Sequence, residues 1–258
     1  MTLSIALRGD TARHPGNTLP ALRSALRAGV DLVKIDVHLT SDGYPVLVDE
    51  RVVAVPGSPP RQVGELTLAE LAAARDDVER RVPTMMEVLA EFCGGDASPL
   101  LIDALSPETA LAADTVLREH GFADQALFTG PVEVLRTLRE RRPGARIMLA
   151  WDQPGPPPQD LVHALRPAFL GTHYSLLDRE TVGEIHRFGY RVVAWTVNDF
   201  PEMARLIGMG VDALATERVE DLVSLTTGRA QAPTIPPESA SGHLAGLAPV
   251  AAEGDRVS

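Results

Sequence analysis

The strongest constraint on this chain is an alternation that runs through most of its length. Short apolar runs are separated by stretches with helical periodicity. The apolar runs fall at 4–7, 32–37, 45–48, 100–103, 126–129, 146–150, 168–171, 191–197 and 213–216. Helical patterns fall at 18–28, 68–74, 84–92, 107–120, 132–141, 159–165, 179–188, 201–209 and 219–226. Gly29, Gly121, Gly189 and Gly210 follow helical stretches, where a C-cap favours positive φ. Strand and helix recurring about every 28 residues, roughly eight times, predict an α/β fold, a TIM (β/α)8 barrel. The stretch 51–66, RVVAVPGSPPRQVGEL, breaks the rhythm and reads as a small insertion after the second unit. From Arg229 onward Pro, Ala, Ser and Gly dominate and periodicity is lost. We therefore assign 1–228 to the barrel and 229–258 to a disordered tail.

Composition narrows the partners. Hydrophobic residues make up 45% and charged residues 23% of the 258, the balance of a well-cored soluble protein. A formal net charge of -11 argues against nucleic acid or an anionic membrane as a general electrostatic partner. The lone Cys93 excludes an intrachain disulfide, fits a reducing compartment, and reads as a small buried residue at a helix end. No leader-like or membrane-spanning apolar run occurs, so a cytoplasmic location is expected. No feature of the sequence sets an oligomeric state.

The run at 32–37 carries the chemistry. Alternation in Val33-Lys34-Ile35-Asp36-Val37-His38 places Lys34, Asp36 and His38 on one face. In a barrel strand that face is the interior or its mouth, where charge is costly unless matched or functional. Asp103 ends another strand and is expected at the same mouth, the usual location of chemistry in this fold. Two readings stand: a salt bridge that holds the barrel closed, or a site.

At these residues the sequence resembles the glycerophosphodiester phosphodiesterase family, over about residues 3 to 225. The family's first strand ends in His-Arg-Gly before a Pro-Glu-Asn-Thr helix start; here those places hold Leu7-Arg8-Gly9 and Pro15-Gly16-Asn17-Thr18. Its next blocks, Glu-x-Asp, Leu-Thr-x-Asp-Gly-x-Pro-Val and His-Asp, correspond to Lys34-Ile35-Asp36, to Leu39-Thr40-Ser41-Asp42-Gly43-Tyr44-Pro45-Val46, and to Val48-Asp49. Leu66-Thr67-Leu68-Ala69-Glu70-Leu71, Val82-Pro83-Thr84 with Glu87, Trp195-Thr196-Val197-Asn198-Asp199 and Gly210-Val211-Asp212-Ala213 are similar to later segments. The resemblance implies a TIM barrel in which two histidines act as general acid and base. It also implies two glutamates and an aspartate on a divalent cation, and an arginine on the phosphate.

Carried over residue by residue, much of that equipment is replaced. The histidine positions hold Leu7 and Val48, and the first metal glutamate is Lys34, although Asp36 is kept. The second glutamate falls at Asp103, one methylene shorter, and the motif glutamate is Gly16. A general acid or base contributes about 10²–10⁴-fold, so losing both removes most proton-transfer assistance. Lys34 would place an ammonium where a dication belongs, which leaves the ligand set incomplete; no metal or other cofactor is expected.

The leading expectation is a barrel without metal-dependent diester hydrolysis. It would bind a small, phosphorylated molecule at its mouth, with Arg8, Trp195, Asn198 and His14 contacting the ligand and Lys34 paired with Asp36 and Asp103. A second reading is a metal-independent enzyme that uses Asp36, Asp103 and Lys34 for isomerisation, cyclisation or elimination. A third is residual phosphodiesterase activity through His14. His173 and Tyr174, after the sixth barrel strand, are candidate pocket-lining residues.

Overall fold

Leu3, Ile5 and Leu7 alternate with Ser4 and Ala6 along the first strand, which sends the three large side chains inward. The computed structural model describes residues 1–48, 51–74, 81–92, 99–153 and 155–226. Asp49, Cys93 and the segment 229–258 lie outside them. The chain runs β1 (Leu3–Leu7), α1 (Leu19–Ala28), β2 (Leu32–Leu39), β3 (Pro45–Leu47), β4 (Val52–Val53) and β5 (Arg61–Gln62). Then come α2 (Leu68–Ala74), α3 (Met85–Phe92), β6 (Leu100–Ala104), α4 (Pro107–Glu119), β7 (Ala126–Thr129) and α5 (Val132–Arg141). It ends with β8 (Arg146–Ala150), α6 (Gln159–Leu165), β9 (Phe169–His173), α7 (Arg179–Arg187), β10 (Arg191–Trp195), α8 (Phe200–Met209), β11 (Ala213–Thr216) and α9 (Val219–Thr226).

Eight strands close into a parallel barrel in the order β1-β11-β10-β9-β8-β7-β6-β2, with β1 also paired to β2. This is the expected TIM barrel. Its interior is filled by Ile5, Leu32, Leu101, Leu127, Met148, Phe169 and Val193, so it is a packed core and not a channel. Outward-facing strand residues pack under the helices in a second, larger core with Leu22, Leu89, Leu117 and Leu138. Among the described residues no helix is long and apolar enough to cross a membrane.

The run at 45–48 is not a barrel stave. As β3 it folds back antiparallel on the end of β2, with Val37 opposite Leu47 and Leu39 opposite Pro45. The reason is the length of the connection. Thr40 to Tyr44 form a tight turn (Gly43 N–H to Thr40 O, 3.0 Å; Thr40 N–H to Tyr44 O, 3.0 Å), whereas a parallel return needs a crossover of about a dozen residues. The insertion that follows pairs β4 with β5 and has its own small core of Val46, Val48, Val53, Val63, Leu66 and Leu71.

Candidate active site at the barrel mouth

The exit from β1 is built on unusual backbone. Arg8 and Asn17 are non-glycine residues at φ 61° and 57°, a conformation that costs energy and persists where surrounding contacts impose it. Here they do: the Arg8 N–H donates to Lys34 O at 2.8 Å and the Asn17 N–H donates to Arg8 O at 2.9 Å. Between them Gly9 lies so close to α1 that a Cβ would sit 2.6 Å from the Ala21 carbonyl carbon. Only glycine lets the loop fold onto that helix.

This loop delivers Asn17 to β2. The Asn17 side chain is 1% exposed, and its amide donates to Asp36 Oδ2 at 3.0 Å while its carbonyl accepts the Asp36 N–H at 3.1 Å. The β2–β6 register sets Asp36 beside Asp103, and both carboxylates take Lys34. Its Nζ bonds Asp36 and lies 2.8 Å from Asp103 Oδ2. The three side chains are 20–25% exposed, at the rim of the barrel. Burial works against the Lys34 charge, but the carboxylates of Asp103 and Asp36 outweigh it and hold its pKa above the ordinary lysine value. Lys34 is a poor nucleophile in that state. His38, next on the same face, is pushed down by burial, against the opposing pull of Asp36 and Asp103.

A second cluster lies at the ends of β1, β10 and β11. Arg8 donates to Glu217 Oε1 at 2.7 Å, and Asn198 donates to Glu217 Oε2 at 3.0 Å. The Asn198 carbonyl in turn accepts from the Thr216 hydroxyl (3.1 Å) and the Glu217 N–H (2.9 Å). Arg8 is therefore braced against a carboxylate. Trp195, beside His173 in the β9–β10 register, lies over Gly171, where a Cβ would meet its ring at 2.1 Å. The His173 ring stacks on Tyr174 (centroids 4.6 Å apart) and is hydrogen-bonded with Ser175 at 2.7 Å.

Lys34, Asp36 and Asp103 thus form one ionic cluster, while Arg8 and Asn198 meet in another. His14 sits half-buried in the β1–α1 loop, and its side chain bonds no described residue. Leu7 packs on the barrel's inner cluster. Val48 is buried in the insertion's core. Sequence reasoning missed two participants. Asn17 was legible only as part of a helix start, and Glu217 follows the last barrel strand, at the face where this fold keeps its chemistry. Among the described residues no group of three or more His, Cys, Asp or Glu side chains is placed to hold a metal ion.

A closed (β/α)8 barrel with charged side chains gathered at the C-terminal ends of its strands has the architecture of a TIM-barrel enzyme scaffold. The family model for the Glycerophosphoryl diester phosphodiesterase family matches residues 8–221. The chain belongs to that family. It is 26% identical over 237 residues to a glycerophosphodiester phosphodiesterase of Caldanaerobacter subterraneus, covering 87% of this chain and 97% of that protein. Among solved structures, an Oleispira antarctica phosphodiesterase in complex with the product sn-glycerol-3-phosphate superposes with a TM-score of 0.77. The two are 25% identical, over 88% of this chain and 97% of the other. The Thermotoga maritima glycerophosphodiester phosphodiesterase gives 0.71 at 25% identity, over 87% and 98%.

Proposed function

We propose that this family member binds a small phosphorylated molecule at the barrel mouth and does not hydrolyse phosphodiesters with a divalent cation. The observation that carries the reading is the Lys34 ammonium seated against Asp36 and Asp103. A hard cation takes about six or more oxygen ligands, or several waters with one or two carboxylates. Two carboxylates that share one ammonium, which occupies the space between them and cancels half their charge, do not fit that requirement, so we derive no step through a metal. Leu7 and Val48, at positions where the family pattern has histidines, carry no proton. The ligand class is supported by Arg8, with Asn198 nearby, and by the phosphorylated product held in the Oleispira relative. A phosphate would displace Glu217 from Arg8.

The test is thermal melting and turnover of glycerophosphodiesters with Mg²⁺, Ca²⁺ or Mn²⁺, then melting with sn-glycerol 3-phosphate. Expected are no metal-induced stabilisation, no chelator-sensitive turnover, and a ligand-induced rise that Arg8→Ala removes. Metal-induced stabilisation together with turnover lost to chelator would overturn the reading. A metal-independent acid–base reaction using Asp36, Asp103 and Lys34 is favoured by one further observation: the three side chains meet in one partly exposed cluster at the rim of the barrel. In that case Asp36→Asn and Asp103→Asn each abolish product with the fold intact.

A further inference from the structure

Outside the barrel wall, α6 and α7 do not close over the strand they flank. A cavity of about 370 Å³ lies between them, within the range of small-molecule sites. Its floor is β9 at Leu170 and Thr172, its walls are Val162 and Ile185, and its ends are Trp151 and Tyr190. The Trp151 indole is fixed by donating to Gly155 O at 3.0 Å. From the β9–β10 register, Tyr190 stands opposite residue 168, four positions before Thr172. At about 3.3 Å per residue that is roughly 13 Å, the length of an extended chain of about ten carbons. The Thr172 and Tyr190 hydroxyls bond no described residue, and with Gln153, Gln159, Thr181 and Glu184 they give polar groups to a lining that is mainly apolar.

We propose that this slot binds a single unbranched aliphatic chain of medium length, such as that of a single-chain amphiphile. Three observations select that occupant. β9 is paired on both edges, to β8 and β10, and so offers no free backbone to a peptide strand. Among the described lining residues Glu184 alone is charged, and it is exposed, so the slot offers no cation to an anionic ligand. The surface that lines the slot is also far smaller than the roughly 800 Å² per partner that a stable protein interface buries.

The two tryptophans of the chain make the test direct, because Trp195→Phe leaves Trp151 as the sole indole reporter. Titrating n-alkanols from hexanol to dodecanol into that variant should give saturable changes in Trp151 emission. Affinity should rise about fourfold per methylene and level off near ten carbons. Adding Ile185→Phe or Thr181→Phe, each filling the slot from α7, should weaken decanol binding at least tenfold at unchanged melting temperature. Two variants guard against one failing to fold. A flat dependence on chain length, no saturable response, or concentration-dependent dimerisation that protects Trp151 from the alkanols would overturn the proposal.

Discussion

Lys34 is the residue on which the site turns. Removing one partner of a fully buried ion pair costs about 3–5 kcal/mol, and with side chains still partly exposed Lys34→Met should cost about 2 kcal/mol by denaturant unfolding. The sign of its pH dependence follows from its raised pKa. The contribution is fully present below the unfolded value of 10.5 and is lost as pH rises through the higher folded value. The gap between wild type and Lys34→Met should therefore stay level across neutral pH and close in alkali. Lys34→Glu tests the same position from the other side: it should create a melting-temperature rise with Mg²⁺ or Ca²⁺ that the wild type does not show. On the proposed reading a phosphate would have to displace Glu217 from Arg8, so Glu217→Gln should tighten sn-glycerol 3-phosphate binding about tenfold by calorimetry, the scale of a charge-assisted bond of roughly 1.5 kcal/mol. Weaker binding would mean that Glu217 holds Arg8 in place for the ligand.

At the level of elements, α3 begins with a reciprocal cap. The Thr84 N–H donates to Glu87 Oε2 at 2.9 Å, and the Glu87 N–H donates to the Thr84 hydroxyl at 3.3 Å. Burial opposes the Glu87 charge, but Thr84 and Arg81 outweigh it and hold the carboxyl below its ordinary value. Its stabilisation is present above the unfolded value of 4.5 and fades as pH falls through the folded one. Thr84→Ala should cost about 1 kcal/mol at pH 7, and less in acid, by urea titration. In β9 the critical feature is an absence of volume. Gly171→Ala would drive a methyl group into the Trp195 ring, and overpacking of this kind costs about 1–3 kcal/mol. The measurable sign is a lower melting temperature with shifted Trp195 emission in a Trp151→Phe background.

Across the whole molecule, the barrel was legible because each stave is short, apolar and followed by a helix, a pattern that periodicity alone exposes. The run at 45–48 is equally apolar, and only the five-residue turn before it reveals the antiparallel return. The cluster of Lys34, Asp36 and Asp103 was legible because period-two alternation fixes the face, and the β2–β6 register then sets the two aspartates side by side. Glu217 escaped because its role depends on closure of the barrel across β1, which brings residues 209 positions apart into contact, and Asn17 because it reaches Asp36 through a loop backbone that no periodic pattern records. The α6–α7 slot was invisible for a related reason: helix spacing is set by packing, and no local pattern records it.

The small core around the insertion has a consequence for substitution at one position. Val48, where the family pattern has a histidine, is one of the apolar side chains that hold this segment together, at 2% exposure. An imidazole placed there would be a polar ring in a dry cluster, at a cost of about 1–3 kcal/mol. Val48 is thus tied to the packing of its segment, and a histidine at this position would need matching changes in its apolar neighbours.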